Sequence, residues 1–102
     1  MQFIQSAGVN TVINISGKLD FAAAGTFMEE LKTLVDKNVK RIDIHCANLE
    51  YISSAGIRAM VFLKQKIDKN VEVEVFLHNA IQPVKDVFSL SGLDGYFEFV
   101  DL

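Results

Sequence analysis

The segment Thr11-Val12-Ile13-Asn14-Ile15-Ser16 alternates with period two, the mark of a half-buried strand. Phe3 and Ile4 precede it across Gly8-Val9-Asn10, so the pair predicts an opening hairpin. Gly17-Lys18 then breaks the strand. Asp20 is placed to cap a helix whose apolar stripe is Phe27, Leu31, Leu34 and Val35, with Glu29, Glu30, Lys32 and Asp36 opposite. Gly25 weakens its first turn, and Lys37-Asn38 ends it. Alternation returns in Arg41-Ile42-Asp43-Ile44-His45-Cys46, with Ile42, Ile44 and Cys46 on one face and Arg41, Asp43 and His45 on the other.

A second helix is expected from about Gly56 to Asp68, with Ile57, Met60, Val61, Leu63 and Ile67 as its apolar face. Val71-Glu72-Val73-Glu74-Val75-Phe76-Leu77 predicts a strand. Asn79 is placed to cap a third helix, which tolerates Pro83 in its first turn. This helix buries Ile81, Val84 and Phe88 and stops at Ser91-Gly92. Tyr96-Phe97-Glu98-Phe99-Val100 predicts a last strand. The order is ββαβαβαβ, which implies an α/β domain with a mixed, mostly parallel sheet and helices packed on it.

Composition narrows this further. A chain of 102 residues is one domain, residues 1–102, and half its residues are apolar with 23% charged. It needs neither metal nor disulfide to fold, and no cofactor motif stands out. Ten basic and thirteen acidic residues leave a net charge of −3, which argues against direct nucleic-acid binding. The single cysteine, Cys46, excludes an internal disulfide. The opening MQFIQS has no basic-then-apolar leader, and the longest apolar stretch, Ala59 to Leu63, is too short for membrane insertion. These features predict a soluble, cytoplasmic protein.

Candidate chemistry concentrates in Asn48-Leu49-Glu50-Tyr51-Ile52-Ser53-Ser54-Ala55-Gly56-Ile57-Arg58, between a strand and a helix. One of the two serines is expected to be the helix N-cap. A hydroxyl at a helix start is also exposed, and a phosphate there meets free N–H groups and the positive end of the helix dipole. Such a serine can be phosphorylated without breaking the fold, and the added charge alters what a partner meets.

Leu49-Glu50-Tyr51-Ile52-Ser53-Ser54-Ala55-Gly56-Ile57 resembles the phosphorylation loop of STAS domains, the family of bacterial anti-sigma factor antagonists. Ser16-Gly17-Lys18-Leu19-Asp20 resembles that family's Gly-x-Leu-Asp segment. Phe88-Ser89-Leu90-Ser91-Gly92-Leu93-Asp94-Gly95-Tyr96-Phe97 resembles its C-terminal signature. Aligned on Gly56, the resemblance places the phosphoacceptor at Ser54, with Ser53 as runner-up. Ser53, Ala55 and His45 stand where many antagonists carry aspartate, serine or threonine, and aspartate, so this loop is less acidic than usual.

The resemblance implies a regulatory binding protein that is not itself an enzyme. In its unphosphorylated form it would bind an anti-sigma factor with serine-kinase activity and release the sigma factor. Phosphorylation would switch it off, and a PP2C-type phosphatase would restore it. The expected partner-facing residues are Asp20, Ser53, Ser54, Gly56, Arg58 and Phe62. Asp20 is first of all suited to capping its helix, a role compatible with facing a partner. Phe62 falls off the apolar face, near Arg58, Gln65 and Lys66, so either another element covers it or it is an exposed interface aromatic.

Two other readings differ in class. The same fold serves as an interaction or scaffold subunit of transporters and signalling complexes outside sigma control. An enzyme would need a base, and the chain offers only isolated histidines and no carboxylate pair beside a nucleophile. His45 and Cys46 point to opposite faces of a strand and cannot share one ion, which leaves Cys46 as a small core residue.

Overall fold

In the computed structural model, described for residues 1–35, 37–65, 73–93 and 95–101, seven strands and three helices alternate along the chain. The strands are β1 (Ile4–Ser6), β2 (Asn10–Asn14), β3 (Gly17–Leu19), β4 (Arg41–His45), β5 (Leu49–Ile52), β6 (Glu74–His78) and β7 (Glu98–Val100). The helices are α1 (Phe21–Lys32), α2 (Ser54–Gln65) and α3 (Gln82–Leu90). Five strands form one sheet in the order β1-β2-β4-β6-β7, with β1 antiparallel to β2 and the remaining pairs parallel.

Alternation decides which side of the sheet is buried. Ile13, Ile42, Ile44, Val75 and Leu77 join Phe27 and Leu31 of α1, Met60 and Leu63 of α2, and Val84 and Phe88 of α3 in one core. The opposite side carries Val12, Asp43, Phe76 and Glu98 in one register row, and Asn14, His45, His78 and Val100 in the next. On it Arg41 reaches Asp43 through two hydrogen bonds, Nε at 3.0 Å and Nη2 at 3.1 Å, and stacks 4.1 Å over the Phe76 ring. His78 Nε2 lies 2.8 Å from Asp43 Oδ1. The hydrogen bond from Arg41, reinforced by His78, outweighs desolvation and holds the Asp43 carboxyl below the usual carboxylate range.

The N-terminal segment is fastened by Glu30, a buried carboxylate on α1. Its oxygens accept the backbone N–H groups of Gln2, Phe3 and Ile4 at 3.1, 2.9 and 3.0 Å. Three donors on one carboxylate answer the desolvation that its burial demands.

Several sequence expectations change. Gly17–Leu19 does not merely break a strand: it is β3, paired in parallel with β5 in a separate two-stranded sheet. Both strands are short, and β5 runs buried, exposed, exposed, buried, so neither shows period-two alternation. Asn79 does not cap α3. It adopts a left-handed conformation, φ 61°, while Ile81 is the N-cap without a side-chain bond and is 38% exposed. The second helix starts at Ser54, before the expected Gly56. Its expected end at Asp68, including Ile67, and Val71 and Glu72 of the next strand lie outside the described residues.

Candidate functional site

The extra strand pair builds the site. Leu19 pairs with Ile52, so the two chain segments that leave this small sheet, into α1 and into α2, start side by side. The Leu19 carbonyl joins them: it accepts the Ser53 N–H at 3.0 Å and the Ser53 hydroxyl at 2.8 Å. The same hydroxyl oxygen accepts the Gly56 N–H at 3.1 Å, and the Ser53 carbonyl takes the first helical bond, from Ile57 N–H at 2.9 Å. Ser53 is therefore the N-cap of α2 and Ser54 its first helical residue.

The two serines differ in what their hydroxyls can do. Ser53 is half-buried and its Oγ is committed as donor and acceptor at once. Ser54 is exposed, and its hydroxyl is bonded to no other described residue. The N–H of Gly56 is satisfied by the cap, so a phosphate on Ser54 would find the N–H groups of Ser54 and Ala55 at the positive end of the helix. Arg58, four residues on and exposed, shares that helix face. The stability test is direct. Ser53→Ala is expected to cost about 0.5–2 kcal/mol and Ser54→Ala to stay within about 0.5 kcal/mol, compared by urea titration.

Asp20 caps α1, its carboxylate accepting the Ala23 N–H at 2.9 Å, and stays exposed beside the serines. Gly56 is buried, so its part in the site is packing rather than surface contact. A Cβ there would lie 2.7 Å from Ile52 Cγ1 and 3.0 Å from Leu19 Cδ2. Only a glycine lets the first turn of α2 pass this close to β3 and β5. Phe62 also departs from the open aromatic considered above: it is half-buried and packed against the core.

Two exposed aromatics at this corner are not among the expected contact residues. Phe21, the first residue of α1, is 80% exposed, and Tyr51 on β5, opposite Lys18, is 49% exposed. Phe21 falls off the stripe formed by Phe27 and Leu31, and that spacing was the available signal.

Away from this corner, Cys46 is fully buried, its Sγ–H directed at the Ile44 carbonyl, and burial pushes its thiol up to about 12. His45 and His78 stack with ring centroids 5.0 Å apart. No group of three or more metal-ligating side chains occurs among the described residues. None of the described helices is long and apolar enough to cross a membrane.

The corner where α1 and α2 begin thus presents an exposed serine, Ser54, beside the capping Ser53, on a mixed sheet whose helices share one core. The chain belongs to the STAS domain family, whose model matches residues 1–101. It is 31% identical over 83 residues, 81% of this chain and 71% of the relative, to BtrV of Bordetella bronchiseptica, named as a candidate anti-sigma factor antagonist. The structure resembles the anti-sigma factor antagonist SpoIIAA in its unphosphorylated form, with a TM-score of 0.76 at 19% identity over 99% of this chain and 87% of that one. It also resembles the Bacillus cell fate determinant SpoIIAA in its phosphorylated form, with a TM-score of 0.71 at 19% identity over 97% and 88%.

Proposed function

We propose that this protein is an anti-sigma factor antagonist. Its unphosphorylated form binds an anti-sigma factor with serine-kinase activity, frees the sigma factor, and is switched off by phosphorylation of Ser54. The single observation that carries the site is the division of labour between the serines: Ser53 holds the helix start, which leaves Ser54 exposed and free to react. The relationship to a named candidate antagonist supports the functional class. The protein is the substrate of the kinase and performs no chemistry itself. A PP2C-type phosphatase resets it, and the exchange takes place in the cytoplasm.

The switch follows from charge. A phosphoserine adds about −1.5 to −2 charges at pH 7. Placed at the centre of a tight interface, that charge is desolvated or repelled, and either outcome weakens the complex. Asp20 and Arg58 flank the acceptor and complete the contact surface, whereas Gly56 and Phe62 support it from within. Incubation with the cognate kinase and ATP, followed by mass spectrometry, is expected to find one phosphate, on Ser54. Phosphate on Ser53 with none on Ser54 would refute the assignment, because that hydroxyl would have to abandon the Leu19 carbonyl.

A further inference from the structure

Phe21 stands apart among the eight phenylalanines of this chain. Phe3, Phe27, Phe88 and Phe97 are buried, and Phe62, Phe76 and Phe99 are half-buried, whereas Phe21 is 80% exposed. It occupies the first position of a helix, where free N–H groups and the positive dipole end favour acidic residues or proline. Neither local propensity nor packing accounts for a large aromatic ring there.

Its position relative to Ser54 is fixed by the backbone. Phe21 lies two residues beyond Leu19, a reach of about 7 Å, and Ser54 lies one residue beyond Ser53, whose N–H and hydroxyl both bond the Leu19 carbonyl. An interface of ordinary size, about 800 Å² on each partner and therefore about 30 Å across, is wide enough to include both Ser54 and Phe21. Tyr51, on the strand pair that precedes both helices, is a second exposed aromatic at 49%.

We infer that Phe21 is the apolar anchor for the serine kinase that modifies Ser54, its ring entering an apolar recess beside the kinase's active-site cleft. This rests on the reading of Ser54 given above and adds to it the residue that holds the kinase in place. A second copy of the chain is the poorer occupant, since self-association through Phe21 would cover the acceptor that must remain accessible. The role is binding rather than chemistry. The kinase must approach the Ser54 hydroxyl, and an exposed aromatic close by supplies contact area at small cost in side-chain entropy.

The test uses full-length Phe21→Ala and Phe21→Leu. The probe is the purified serine-kinase anti-sigma factor of the same organism, with a non-hydrolysable ATP analogue for binding and ATP for turnover. Phe21→Ala is expected to raise Kd, and KM for phosphorylation, about tenfold or more, with kcat and the thermal midpoint little changed. Phe21→Leu should recover part of the affinity. Wild-type affinity in Phe21→Ala, while wild type binds and is phosphorylated on Ser54, would overturn the anchor and leave the Ser54 reading standing. A large fall in thermal midpoint would also overturn it, by making Phe21 a packing residue. A wild-type dimer that Phe21→Ala dissolves would do the same, in favour of self-association. Absence of both binding and Ser54 phosphorylation in wild type would remove the underlying reading itself, and the anchor with it.

Discussion

Gly56→Val is expected to cost about 3 kcal/mol or more, a large share of the roughly 5–15 kcal/mol that holds a small domain folded. The Cβ alone would sit 2.7 Å from Ile52 Cγ1, a branch atom near the backbone of a short strand, with Leu19 Cδ2 and Cγ at 3.0 and 3.2 Å. Both side chains are packed in the core, Leu19 1% and Ile52 2% exposed, so relief requires repacking them or moving α2 away from β3 and β5. Valine adds two further carbons and a restricted χ1. Gly56→Ala should cost less, because alanine recovers up to about 1 kcal/mol of helix propensity against a smaller clash. The contrast is Gly25→Ala in α1. That position is exposed, and a Cβ there meets nothing within 4 Å, so the change is expected to stabilise by about 0.5–1 kcal/mol. Urea titrations of the three variants check both signs. Equal effects at the two glycines would contradict the close approach.

That pair also shows where the sequence stopped being readable. In the chain, Gly25 and Gly56 are both simply glycines near the start of a helix. Their opposite roles depend on what a neighbouring segment places above them, and no local pattern carries that information. Periodicity was a sound guide where one side of a strand or helix is buried. Ile42 and Ile44, Phe27 and Leu31, and Val84 and Phe88 all occupy the core that their spacing implies. It failed for Gly17–Leu19 and Leu49–Ile52, which are too short to alternate and are defined by pairing with each other across some thirty residues.

The candidate site was legible to the extent that a motif marks it. The serine pair drew notice from its place between a strand and a helix, yet the sequence could not say which hydroxyl caps. That required the Leu19 carbonyl, which approaches only once β3 and β5 pair. Phe62 illustrates the converse. Its angular position left both a covered and an exposed ring open, and the core covers one side of it, because a helix packed among several elements buries more than a single stripe. The open aromatic lies instead at Phe21, on the other helix that begins at this corner.

The same corner determines the size of the expected switch. Ser54 projects from the first turn of α2 with Asp20 at the start of the neighbouring helix, so a phosphate on it cannot withdraw into the fold and remains on the contact surface. Phosphorylation should weaken the complex with the serine-kinase anti-sigma factor at least about 100-fold, or about 2.7 kcal/mol, within the range for an uncompensated charge at an interface. Ser54→Asp carries only one charge and should produce a smaller loss in the same direction. The decisive measurement is isothermal titration of the purified kinase, with bound nucleotide, against unphosphorylated protein and against protein phosphorylated stoichiometrically on Ser54. Tight binding of the unphosphorylated form, and at least a 100-fold loss on phosphorylation, is the predicted result. Equal affinity of the two forms would contradict the account.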